Sequence, residues 1–188
     1  GSALSVTFDG NSDMQPDMVW VKNRTVDSNH RLSDSVRGTS SHLVPDDTAG
    51  QDNSSTALTA FNSDGFSVGS EQSYSKSGSN HVGWAWKETA DAGFDIVSYT
   101  GSGSAKTVSH SLSAVPKMII VKARSSSGQW TVQHGSLGAT KWTELDSTAD
   151  TDFSTTIWNN TEPTSSVFTV GTNARTNANG TTYVCLLY

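Results

Sequence analysis

A single cysteine, Cys185, stands among 188 residues. That excludes an internal disulfide framework and a metal site made of several thiolates. Cys185 lies in the apolar run Val184-Cys185-Leu186-Leu187. It reads there as a small buried hydrophobe, because reactive thiols need polar, partly exposed surroundings. Charge is scarce as well. Asp, Glu, Lys and Arg make up 16% of the chain, and 12 basic against 18 acidic residues leave a net charge of -6. There is no basic stripe, which argues against nucleic acid and against a polybasic contact with membrane. No apolar run approaches the ~20 residues of a spanning helix, so membrane insertion is not expected. Glutamate occurs only at 71, 88, 144 and 162, never in an apolar setting that would raise its pKa for acid catalysis. The G-x-S-x-G elbow, the phosphate loop and the H-E-x-x-H pattern are all missing. The sequence therefore does not read as an enzyme.

Small hydroxyl residues are what the chain has in quantity: 31 Ser and 23 Thr. With Val, Asn and Gly they favour short strands and tight turns over helix. Six Trp, six Phe and four Tyr, set in apolar runs, argue for a packed core rather than disorder. The expected fold is all-β, an antiparallel β-sandwich with jelly-roll-like character.

An internal repeat organises the chain. Pro16-Asp17-Met18-Val19-Trp20-Val21-Lys22-Asn23-Arg24 returns as Pro116-Lys117-Met118-Ile119-Ile120-Val121-Lys122-Ala123-Arg124. The offset of 100 runs without a gap over residues 16–58, with 12 identities in those 43 positions. It then becomes 102, where Phe66-Ser67-Val68-Gly69 matches Phe168-Thr169-Val170-Gly171. Two tandem units follow, residues 1–92 and 93–188. Matching the opening strands as residues 4–10 with 94–101 leaves the first copy nine residues short, about one strand near residues 105–110. That predicts one strand fewer, or an exposed sheet edge, in the first copy. The Gly1-Ser2 pair reads as a remnant of cloning.

Period-two patterning in Val82-Gly83-Trp84-Ala85-Trp86 puts the bulky residues on one face, read here as the core face, with Trp20 and Trp158 also inside. At offset 100, Trp130 replaces His30 and Trp142 replaces His42. A tryptophan that exchanges with histidine should be partly exposed, since a buried imidazole needs a partner. Trp130 and Trp142 are therefore the candidate sugar-stacking platform. His134 and Gln133 would add polar contacts, and His30 and His42 mark the equivalent place in the first copy. Asp46, Asp52, Asp146 and Asp152, in two matching D-x-T-A-x-x-D turns, could hold calcium. Turn capping by the same side chains is the favoured reading, so no cofactor is assigned. Asp34 and Arg37 read as a charge-paired turn.

Taken together, Asp34-Ser35-Val36-Arg37-Gly38, Phe61-Asn62-Ser63-Asp64-Gly65-Phe66, Val82-Gly83-Trp84-Ala85-Trp86-Lys87 and the Pro16 and Pro116 motifs resemble a repeat module of tailed-phage virion proteins. The module is frequent in the tail or tail-fibre-like proteins of marine phages. The resemblance carries over no catalytic or ligand residues. It implies a virion location and an adhesive or structural task. Host-surface glycan or other virion proteins are the expected partners, and a homo-oligomer is a further option, a trimer if the chain is part of a fibre. A carbohydrate-binding module of a secreted bacterial protein and a purely structural virion spacer are the alternatives.

Overall fold

The computed structural model describes all 188 residues, Gly1–Tyr188. It is almost entirely β and antiparallel, as the composition predicts. The chain divides into two compact units, Gly1–Asp46 with Gln51–Glu88, and Asp47–Gly50 with Thr89–Tyr188. The division falls at Glu88 rather than after residue 92. Residues 89–94 belong to unit 2, where a 3-10 turn, Ala90–Ala92, is closed by a bridge between Thr89 and Phe94.

Unit 1 contains β1 (Leu4–Val6), β2 (Met18–Asn23), β3 (Arg31–Asp34), β4 (Ser41–His42), β5 (Asp52–Asn53), β6 (Leu58–Asn62), β7 (Gly65–Val68), one helical turn α1 (Gln72–Ser75) and β8 (His81–Trp86). Its sheets run β3-β2-β8, β1-β7-β6 and β4-β5. Val19 and Val21 of β2 pack against Leu58, Phe66, Val68 and Tyr74 to form the core. The β6–β7 hairpin turns through Asn62-Ser63-Asp64-Gly65, where Gly65 takes φ +104, a left-handed value that a side chain would strain.

Unit 2 contains β9 (Asp95–Thr100), β10 (Lys106–Ser109), β11 (Met118–Ala123), β12 (Thr131–His134), β13 (Lys141–Glu144), β14 (Asp152–Phe153), β15 (Val167–Val170), the turn α2 (Ala174–Asn177) and β16 (Thr182–Leu187). A six-stranded sheet ordered β14-β13-β12-β11-β16-β9 faces the pair β10-β15. Ile119, Val121, Tyr183, Cys185 and Leu187 meet Val108, Trp158, Phe168 and Val170 across the core.

The registers repeat between units. Met18 lies opposite Asp34 and Trp86, and Met118 opposite His134 and Tyr188. Leu4 lies opposite Val68 in β7, and Lys106 opposite Val170 in β15. This corrects the matching of the opening strands: β1 is the counterpart of β10, and the strand without a counterpart is β9. Gly1-Ser2-Ala3 and Gly103-Ser104-Ala105 are identical and lead into the paired strands at the same register.

The tryptophans of β2 and β8 also require correction. Trp84 is 45% exposed, and Trp20 and Trp86 are half-buried. The alternation is real, but the core face is the one bearing Val19, Val21 and Gly83. A Cβ on Gly83 would lie 3.2 Å from the Phe66 ring. Trp20 and Trp84 sit opposite each other on the other face, edge to face at 6.3 Å. Trp158 is buried, as expected, and so is its counterpart Leu58.

Trp158→Ala is expected to cost about 3–5 kcal/mol in urea denaturation, the range for a buried aromatic. Trp84→Ala removes mainly one ring contact, and about 1 kcal/mol is expected. Equal losses for the two variants would place Trp84 in the core after all.

Candidate functional site

The repeated residues hold turns. Lys22 Nζ donates to the Ser28 carbonyl at 2.5 Å, and Lys122 Nζ donates to the equivalent carbonyl of Gly128. Asp46 accepts from the His30 amide at 2.9 Å, and Asp146 from the Trp130 amide at 3.0 Å. Asp52 and Asp152 each accept from the next main-chain amide. The four aspartates thus cap backbone, and no three His, Cys, Asp or Glu side chains gather as a metal-ligating group. Asp34 and Arg37 form a fully buried pair at 2.6 Å, with a second guanidinium nitrogen donating to the Leu32 carbonyl. The charge-paired turn is therefore an interior lock rather than a solvated one.

Trp130 and Trp142 are not a surface platform. Trp130 is fully buried in unit 2, its indole donating to the Asp47 carbonyl at 3.3 Å and the Lys122 ammonium 5.8 Å from its ring centroid. That ammonium also donates to the Thr48 carbonyl at 2.8 Å. Burial pulls the Lys122 pKa down to about 8, against the attraction of Asp146 and Asp47. Trp142 lies in the core of unit 2 under the Arg175 guanidinium, 4.3 Å above its ring. Arg175 in turn donates to Gln129 and, at 2.8 Å, to Glu144.

Exchange with histidine did not mark exposure, because the imidazoles themselves are half-buried at His30 and buried at His42, the latter with its Nδ1 unpartnered. His30 Nδ1 accepts from the Trp20 indole at 2.8 Å. His42 is buried edge-on to Tyr74 at 6.3 Å, with Nε2 3.9 Å from Asp52. Gln133 is buried, and both its amide atoms lack partners. His134 alone of the candidates is exposed, hydrogen-bonded to Ser136 at 2.7 Å. Cys185 is fully buried, and burial pushes its thiol well above the usual range.

A different feature of unit 1 was not found from sequence. A cavity of about 700 Å³ opens beside β8, between β1 and α1. Leu4, Val21, Phe66, Tyr74, His81 and Gly83 line it. Leu4 is 54% exposed, and His81 Nε2 is buried without a hydrogen-bond partner. Burial raises the Tyr74 pKa to about 12, so its hydroxyl stays protonated at neutral pH and pairs with Ser33 at 3.1 Å. β8 pairs with β2 alone, which makes it a sheet edge. The signal that could have revealed this was the repeated Gly-Ser-Ala, which aligns β1 with β10.

These features define an all-β, internally duplicated domain whose polar interior is given over to fixing turns. The chain belongs to the family described as a domain of unknown function (DUF7483), whose model matches residues 1–188. No curated protein and no solved structure matches it. No helix is long and apolar enough to cross a membrane.

Two outcomes follow. Trp142→Ala is expected to lose about 3–5 kcal/mol of stability, as a core truncation does; a full-strength fold in calorimetry would return Trp142 to the surface. Burial lowers the pKa of His42, against the pull of Glu71, and burial likewise lowers that of His30. The unfolded chain then binds more protons below about pH 6.5, so stability falls as pH drops through that range. The melting midpoint should decrease from about pH 7 to about pH 5, and His42→Phe should flatten the decrease. An unchanged slope in that variant would remove His42 from the account.

Proposed function

We propose that the chain is a non-enzymatic module of a tailed-phage virion, of the tail or tail-fibre kind, whose surfaces meet other polypeptides. The observation that carries this is the duplicated sandwich whose first copy leaves one strand edge open beside a cavity lined by both apolar and polar side chains. An open edge is a template for pairing with another strand, and natural sheets normally cover or blunt it. The resemblance of the Pro16 and Pro116 motifs to those of tail-protein repeats supports the virion setting. The buried ion pair and clamped lysines support a scaffold role, since each ties a turn to the sheet. Adhesion to glycan through Trp130 and Trp142 is not retained, because neither indole offers a face to a sugar.

Antibodies raised against residues 1–188 provide the test, applied to particles of the phage that encodes the chain. Purified virions should carry the antigen through density-gradient sedimentation, and immunogold should mark the tail. Antigen confined to the soluble fraction of infected cells would overturn the virion reading.

A further inference from the structure

In unit 2, β9 closes the sheet along β16, with Thr100 opposite Thr182, Tyr99 opposite Tyr183, Ser98 opposite Val184 and Val97 opposite Cys185. Tyr99 fills the space between the layers. Its ring stacks on Tyr183 at 5.1 Å and meets Phe168 edge-on at 6.3 Å. Its hydroxyl donates to the Thr176 carbonyl, and the Lys106 ammonium lies 5.7 Å from the ring centroid. Gly101 then turns the chain against α2, where a Cβ would come within 2.2 Å of the Ala178 carbonyl oxygen.

The equivalent positions in unit 1 follow from the shared registers. Tyr183 corresponds to His81, Phe168 to Phe66, Thr176 to Tyr74, Lys106 to Leu4, Cys185 to Gly83 and Val121 to Val21. These six are the cavity-lining residues named above. The walls that hold Tyr99 in unit 2 therefore stand in unit 1 around an open space, with an unpartnered His81 nitrogen among them. The backbone of β8 offers the ladder groups that β16 uses to hold β9.

We propose that the β8 edge and its cavity receive an extended strand of β9 character. It runs antiparallel to β8, places an aromatic side chain opposite His81 and has a glycine two residues later. The matching Gly-Ser-Ala sequences, and the register shared by β1 and β10, give its source: polypeptide leading into Gly1, as β9 leads through residues 101–105 into β10. The aromatic ring packs on Phe66, and a hydroxyl on it reaches the Tyr74 carbonyl of α1 as the Tyr99 hydroxyl reaches the Thr176 carbonyl of α2. The proposal rests on the duplicated geometry and holds whatever particle carries the chain, so the virion experiment and the one below fail separately.

The test joins a second copy of residues 94–102 directly ahead of Gly1 in the full chain. A control carries aspartate in place of the tyrosine copied from Tyr99. The tyrosine form should raise the melting midpoint by at least about 4 °C and slow amide exchange along β8 by about tenfold or more. The aspartate form should do neither, because its short side chain leaves the ring space over Phe66 unfilled, whatever its carboxylate meets at His81. Equal midpoints and equal β8 exchange in grafted and ungrafted chains would overturn the proposal. So would an ungrafted chain that dimerises through β8, with the dimer surviving the tyrosine graft, since the edge would then belong to a second copy.

Discussion

The pairing of the last strand of each unit with the strand that opens the shared repeat, β2 or β11, is the constraint on which both sandwiches depend. β2 pairs with β8 through six residues, and β11 with β16 in the same register. These strands are about 60 residues apart in sequence, so the contact is non-local and its loop-closure entropy must be met before the core can close. Once made, it fixes which face of β2 and β11 looks inward. Val19 and Val21, or Ile119 and Val121, then find the second layer. A slip of one residue would turn all of them outward and bring Trp20 or Lys122 to the core face, so the register is strongly specified.

The identities between the copies serve the intervals between strands. The lysine at the end of β2 or β11 holds a loop carbonyl six residues on. The aspartate of the acidic turn holds an amide sixteen residues back. Ser54 with Thr56, and Ser154 with Thr156, make the same hydroxyl-to-amide turn. Gly69 and Gly171 let the chain pass where a Cβ would strike the Thr56 or Thr156 carbonyl oxygen at 2.4 or 2.1 Å. Each such bond contributes only about 0.5–1.5 kcal/mol net. Their value lies in position, since they set the spacing at which distant strands meet. A repeat motif read from sequence therefore reports the scaffold first, and the features peculiar to one copy are better guides to function.

The all-β class and the duplication were legible from composition and spacing, because turn residues and β-branched runs act locally. Facing was not. Period two assigns Trp84 and Trp86 to a common side but cannot say which side is inside, and here size misled: the core side of β8 carries Gly83 and Ala85. The strand pairing decides, and that is long-range information. The exchange of Trp130 for His30 also misled, because a half-buried imidazole can accept a hydrogen bond from a neighbouring indole. Burial at such a position depends on a partner found only in three dimensions. The candidate sugar-binding set dissolved for that reason, while the cavity beside β8 stayed hidden because its defining strand has no residues in the first copy.

The two units then differ in a way that packing alone explains. In unit 2 an aromatic ring from β9 lies between the layers, and its neighbours Tyr183 and Phe168 are large and buried. In unit 1 the corresponding pair is His81 and Phe66, with glycine at 83 where Cys185 stands. A sheet evolved to end at β8 would gain by filling the space with larger side chains at 81 and 83, and by charging the edge. Instead the edge shows Val82, Gly83 and Trp84, and β1 shows an exposed Leu4. The side chains around the cavity keep the shape of a seat for a ring. Small residues at a sheet edge beside unfilled space over Phe66 fit a sheet completed by one more strand better than a sheet that stops.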